Sequence, residues 1–103
     1  MREDKIIKTI QFLKPKYKKL GIEILGIVGS YARGDFKDNS DVDILYKIED
    51  KILLYENPFK VFSMLNDFKR DISQYLQKKI NIIDISTLND IAKKYMLKDK
   101  IDV

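Results

Sequence analysis

Asp41 and Asp43 stand two apart in the run Ser40-Asp-Val-Asp-Ile44, and ten residues separate Asp41 from the pair Gly29-Ser30. Val42, Ile44, Tyr46 and Ile48 recur with period two, which predicts a half-buried strand from Asp41 to Ile48 carrying both aspartates on its other face. Two carboxylates side by side on one strand face repel unless a positive group lies between them, and a divalent cation is the fitting partner. Gly29-Ser30 closes an apolar run and opens onto Tyr31-Ala-Arg-Gly34, which predicts a tight turn into a short helix capped by Ser30. Backbone N–H groups and a hydroxyl at such a turn suit phosphate oxygens. Phosphate on one side and metal on the other is how phosphoryl and nucleotidyl transfer is arranged. Either half alone is weak, since an isolated Gly-Ser is ordinarily a turn and an isolated Asp-x-Asp ordinarily a solvated strand edge. Together, at fixed spacing, they arise by chance in about one in 10³ chains of this length.

Composition narrows the chemistry further. The chain has no cysteine and no histidine, which removes disulfides, thiolate zinc sites, cysteine nucleophiles and imidazole bases or ligands. Metal chemistry must then rest on oxygen ligands and hard cations such as Mg²⁺ or Mn²⁺. No Gly-Lys-Ser/Thr follows the turn, so the stretch is not a P-loop. The net charge of +4 is spread over lysines such as Lys14, Lys16, Lys18, Lys19, Lys78, Lys79, Lys93 and Lys94. Scattered in this way, they read as solvated helix faces more than as a nucleic-acid surface. No continuous apolar run marks a signal peptide or membrane span, and a cytoplasmic location is expected. With 103 residues, 45% hydrophobic and 35% charged, residues 1–103 are expected to form one folded domain.

The elements that must position these residues follow from periodicity. Ile6, Ile10, Leu13, Tyr17 and Leu20 predict an amphipathic helix from about Arg2 to Leu20, kinked or split at Pro15 and closed by Gly21. Ile22–Val28 predicts a strand covered on both faces. Residues 51–57 read as a loop, and Pro58 opens a helix whose core stripe is Phe59, Phe62, Leu65, Phe68, Ile72, Tyr75 and Leu76. Asn81–Ser86 predicts a third strand, with Ile83 and Ile85 on one face and Ile80, Ile82 and Asp84 on the other. Thr87 is then placed to cap a last helix through Leu88, Ile91, Ala92 and Tyr95. The fold class expected is α/β (α+β), a small mixed β-sheet with helices packed on one side.

Gly29, Ser30, Asp41 and Asp43 together resemble the signature of the polymerase-beta-like nucleotidyltransferase superfamily. Gly-Ser-Tyr-Ala-Arg-Gly followed by Ser-Asp-Val-Asp-Ile looks more narrowly like the minimal nucleotidyltransferase (MNT) domains that accompany HEPN-domain proteins in prokaryotic toxin–antitoxin pairs. The resemblance implies the nucleotidyltransferase fold over nearly the whole chain. It implies that Gly29 and Ser30 hold the β- and γ-phosphates of ATP, with Arg33 as a further phosphate contact. It implies that Asp41 and Asp43 bind two Mg²⁺ ions, and that a third carboxylate on a later strand, for which Asp84 is the fitting position, completes the metal site and helps deprotonate the acceptor. Asp35 and Asp38 are expected to be solvated turn residues, and Tyr31 and Tyr46 packing residues.

The activity implied is transfer of AMP from ATP to a hydroxyl of a protein partner, by resemblance a tyrosine of a HEPN-type RNase toxin, with this chain as the antitoxin. The chain's small size fits an acceptor that brings its own surface. Two other readings stand beside it: a non-catalytic antitoxin that neutralises its toxin by complex formation, and nucleotidyl transfer to RNA or a small molecule.

Overall fold

The computed structural model describes residues 3–103. Helix α1 (Glu3–Lys19) leads into strand β1 (Ile22–Val28), the single turn α2 (Ser30–Arg33) and strand β2 (Val42–Ile48). Helices α3 (Asp50–Tyr55) and α4 (Pro58–Leu76) follow, then strand β3 (Ile80–Asp84), a 3₁₀ turn at Ile85–Thr87 and helix α5 (Asp90–Lys98). The sheet order is β1-β2-β3, with β1 and β2 antiparallel and β2 and β3 parallel. The mixed sheet expected from the sequence is the one found.

The helix-covered face of the sheet forms the core. Ile6, Ile10, Leu13 and Tyr17 of α1 and Phe68, Ile72 and Leu76 of α4 cluster with Ile22, Ile24 and Ile27 of β1, Val42, Ile44, Tyr46 and Ile48 of β2, and Ile80 of β3. Tyr17 and Tyr46 each meet the ring of Phe68 edge-on, at centroid distances of 4.7 and 5.8 Å. The Tyr17 hydroxyl donates to Asp71, which Lys16 also contacts at 3.0 Å. Burial first, and then the Asp71 charge, push the Tyr17 hydroxyl above the ordinary tyrosine range. The same hydrogen bond, followed by Lys16, holds Asp71 below the ordinary carboxylate range.

Helix α1 is not split at Pro15. An interior proline costs a helix about 3 kcal/mol, but Leu13 and Tyr17, on either side of it, are buried. Each buried apolar side chain returns about 1.5–3 kcal/mol, enough to carry the helix through. Leu20, expected on the buried stripe, is exposed because the helix ends at Lys19 and Gly21 turns the chain at φ 90°. The expected start at Arg2 lies outside the described residues.

Strand β1 alternates rather than being covered on both faces: Ile22 and Ile24 are buried, and Glu23 and Leu25 half-buried. A bulge between Ile24 and Gly26 then shifts the phase, so that Ile27 pairs with Ile44 and Val28 with Asp43. That one extra residue keeps Ile27 in the core and delivers Val28 to the face that carries Asp43. Close backbone approach explains Gly26, since a Cβ there would lie 2.5 Å from the carbonyl oxygen of Ile101. Ile101 pairs with Ile27 through hydrogen bonds of 2.9 and 3.0 Å and covers the outer edge of β1.

Three further expectations are corrected. Residues 50–55 form α3 instead of a loop, held to the core through Ile52. On α4, Phe59, Phe62 and Tyr75 are exposed, and the buried stripe narrows to Phe68, Ile72 and Leu76. The third strand ends at Asp84, and α5 is capped by Asn89, whose side chain accepts from the Ala92 N–H at 2.8 Å. Thr87 instead donates its hydroxyl to the Asp84 carbonyl at 2.7 Å. Among the described residues, no helix is long and apolar enough to cross a membrane.

Candidate active site

The open face of the sheet, at the end where β1 stops and β2 begins, gathers most of the residues singled out from the sequence. Val28 and Asp43 are registered partners, and Gly29 turns the chain at φ 77°, a left-handed conformation that favours glycine. A Cβ on Gly29 would overlap the Asp43 carboxylate oxygen Oδ2, so the glycine is required both by its backbone angle and by the aspartate behind it. The first intrahelical bond of α2 runs from the Arg33 N–H to the Gly29 carbonyl at 3.0 Å. The N–H groups of Ser30, Tyr31 and Ala32 precede it and lie at the turn, as a phosphate cradle requires. Ser30 is the first helical residue rather than the cap; Gly29 occupies the cap position without a side-chain bond.

The loop from α2 to β2 is fixed by packing and a turn. Tyr31 is buried and stacks on Phe36 at 4.3 Å between ring centroids. Lys37 donates its N–H to Ser40 Oγ at 2.8 Å, and Ser40 returns a backbone bond of 3.0 Å to Lys37. Asp41 then precedes the strand, and Asp43 is its second residue. Arg33 pairs with Asp35 at 3.1 Å with both side chains mostly in solvent, an ion pair that leaves the guanidinium free to be recruited elsewhere. Tyr46 is buried against Phe68, as expected of a packing residue; burial first, and then the Asp84 charge, raise its hydroxyl pKa.

The parallel pairing of β2 and β3 decides which β3 residue joins the aspartates. Asp43 is in register with Asn81, and Tyr46 with Asp84. Registered neighbours share a face, so Asn81 stands beside Asp43 while Asp84 stands beside the core residue Tyr46. Asn81 Nδ2 donates to Asp41 Oδ2 at 3.1 Å and to Asp43 Oδ1 at 3.0 Å. Lys79 Nζ lies 3.9 Å from Asp41 Oδ2 but is largely exposed. Asp84 Oδ1 accepts from the Ser86 N–H at 2.9 Å and the Ser86 hydroxyl at 2.8 Å, closing the 3₁₀ turn. The structure therefore brings Gly29, Ser30, Asp41 and Asp43 to one end of the sheet and does not bring Asp84 to them. Among the described residues no three carboxylates cluster as a metal site.

A cleft of about 250 Å³ opens beside these residues, lined by Val28, Gly29, Arg33, Asp43, Tyr95, Met96 and Asp99. The α5 residues in it and Asn81 carried no signal in isolation. Asn81 was nonetheless legible from strand parity: Ile80 and Ile82 belong to the core face, so Asn81 must take the face opposite, the one that Asp41 and Asp43 occupy. Two carboxylates and the Asn81 amide offer oxygen donors suited to one Mg²⁺-like ion, which ordinarily takes one or two protein carboxylates and fills the rest of its shell with water and substrate phosphates.

Comparison with known proteins agrees with this geometry. The family model described as Polymerase beta, Nucleotidyltransferase matches residues 6–103. A Methanocaldococcus jannaschii protein provisionally named a protein adenylyltransferase is 36% identical over 80 residues, covering 77% of this chain and 76% of that one. A second from the same organism, with the same provisional name, is 30% identical over 90 residues and covers 86% and 87%. A solved structure described provisionally as a minimal nucleotidyltransferase superposes with a TM-score of 0.76 at 18% identity, covering 100% of this chain and 97% of that one. A chain from a toxin–antitoxin crystal structure with AMP-PNP gives a TM-score of 0.60 at 18% identity, covering 99% and 72%. With its signature residues gathered at one end of the sheet and the family model matched from Ile6 to Val103, this chain belongs to the polymerase beta nucleotidyltransferase family.

Proposed function

We propose that the chain transfers an adenylyl group from ATP to a hydroxyl of a protein partner and acts as the antitoxin of a toxin–antitoxin pair, its target a HEPN-type RNase. The observation that carries this reading is the approach of the Gly29 turn to the Asp43 carboxylate, which sets a phosphate cradle against a metal-binding group beside an open cleft. In the reaction the acceptor oxygen bonds to the α-phosphorus, the bond to the bridging oxygen breaks, pyrophosphate leaves, and the hydroxyl proton passes to solvent. Asp41 and Asp43 hold the divalent ion, Gly29 and Ser30 the β- and γ-phosphates, and Arg33 swings from Asp35 to the triphosphate. The bound ion supplies charge neutralisation of the phosphates. The names of the relatives support adenylyl transfer to protein, and the fold shared with a chain of a toxin–antitoxin complex supports the partner class. Exposed apolar side chains on α5 (Ile91 and Tyr95) and at α3–α4 (Leu54 and Phe59) suit an acceptor that brings its own surface.

The binding-only reading is favoured by one observation, the amide of Asn81 where a third carboxylate would stand. Incubation with α-³²P-ATP, Mg²⁺ and the protein encoded beside this one separates the two. Label on the partner that depends on Asp41 and Asp43 supports transfer. Toxin neutralisation by the D41N/D43N double variant, without label, would move the assignment to complex formation.

A further inference from the structure

We infer that Asn81 occupies the place of the site's third carboxylate, so that the site is built to hold one divalent ion with its nucleotide and not two. The inference rests on reading Asp41 and Asp43 as metal ligands. Three backbone positions converge at this end of the sheet: the residue preceding β2, the second residue of β2, and the β3 residue registered with it. The residue that the register sets directly beside Asp43 on this face is Asn81, whose amide reaches both aspartates. Asp84 is excluded by parity and by its use as the acceptor of both Ser86 donors.

The chemistry of an amide differs from that of a carboxylate here in two ways. Ionised Asp41 and Asp43 only accept hydrogen bonds, so the NH₂ end of Asn81 must face them, giving one hydrogen to each. The amide thus relieves the repulsion of the aspartate pair without a metal ion, bonding one oxygen of each carboxylate before nucleotide arrives. When an ion enters, the amide can turn and offer its oxygen, but as a neutral ligand. The site then carries two negative charges, sufficient for one divalent ion whose remaining ligands come from phosphate and water. A carboxylate at position 81 would add a third charge and remove both donors, and the three acids would then depend on metal to offset their repulsion. The wild-type site is therefore tuned for holding nucleotide with one ion, at the expense of the second ion that would activate an acceptor hydroxyl.

The test is Mn²⁺ binding without nucleotide, followed by the loss of the free-ion electron paramagnetic resonance signal, for the wild type, Asn81→Asp, Asp84→Asn and the D41N/D43N double variant. The expected pattern is about tenfold or greater tightening in Asn81→Asp, because affinity follows ligand charge, with Asp84→Asn within twofold of the wild type. Thermal unfolding of Asn81→Asp should fall in EDTA and recover with Mn²⁺. No tightening in Asn81→Asp, or weakened binding in Asp84→Asn, overturns the inference. Should Asn81→Asp fail to fold even with Mn²⁺, the ion count of the wild type with nucleotide still decides it, one ion supporting the inference and two overturning it. Mn²⁺ binding unchanged in D41N/D43N would instead show that the aspartate pair is not the metal site and remove the reading on which the inference stands. Where those two aspartates do bind, nucleotide with excess Mn²⁺ should add one ion in the wild type and two in Asn81→Asp.

Discussion

Strands β2 and β3 present two registered pairs three residues apart, and the pairs differ in what they tolerate. Tyr46 and Asp84 sit on the helix-covered face, where Tyr46 is one of many apolar contacts around Phe68. Asp43 and Asn81 sit on the open face, where the Asn81 amide bonds one oxygen of Asp41 and one of Asp43. The covered face is stabilised by summed burial, so damage there is felt as lost stability. The Asp43–Asn81 pair itself adds little burial, although Val28 and Leu45 on the same face are buried, so damage to the pair is felt as lost binding.

The largest effect is expected from the covered face. Phe68→Ala removes the ring that Tyr17 and Tyr46 both meet and should cost about 3–5 kcal/mol, a large part of a domain's total of about 5–15. Urea unfolding followed by circular dichroism measures this. Gly29→Ala tests the open face: a methyl group there overlaps Asp43 and is strained at φ 77°. It should cost at least about 1 kcal/mol of stability and weaken nucleotide binding by more than tenfold, the reverse proportion to Phe68→Ala.

Next comes Tyr17→Phe, which removes the hydrogen bond from Tyr17 to Asp71 and should cost about 1–2 kcal/mol near neutral pH. The Tyr17 pKa is raised on folding, so its contribution is full below the unfolded value of about 10 and is lost as pH rises beyond it. The Asp71 pKa is lowered, so its contribution is full above the unfolded value of about 3.9 and is lost as pH falls below it. The stability gap between wild type and Tyr17→Phe should therefore narrow at both pH extremes in a thermal melt series. The smallest effect is expected from Leu54→Ser, at an exposed residue of α3, within about 0.5 kcal/mol.

How much could be read in advance followed the same division. The helix stripe from Ile6 to Tyr17 and the Asp41/Asp43 face were legible because their periods run over several residues, and strand β1 was legible as an apolar run of strand length, though not its alternation. Helix α3 was not, because six residues hold too few turns to show a period and Leu53, Leu54 and Tyr55 are all exposed. The bulge at Leu25 left no trace, since one extra residue resembles a continuous apolar run. The exposure of Phe59 and Phe62 could not be read either, because an apolar stripe shows which side a helix prefers but not how far its partner extends. Asp84 was chosen by residue type, whereas the alternation of Ile80 and Ile82 already placed it with the core and left Asn81 facing the aspartates. Charge type finds candidates, and parity decides among them.

The most direct measurement is calorimetric titration of AMP-PNP with Mn²⁺ into the wild type and into the D41N/D43N variant, with circular dichroism confirming that both are folded. If the Gly29, Asp41 and Asp43 face holds the nucleotide, the variant should lose at least about tenfold in affinity, since charge-assisted ligands of this kind are each worth more than about 1.4 kcal/mol. Equal affinity in the two proteins would contradict it and place the nucleotide elsewhere on the molecule.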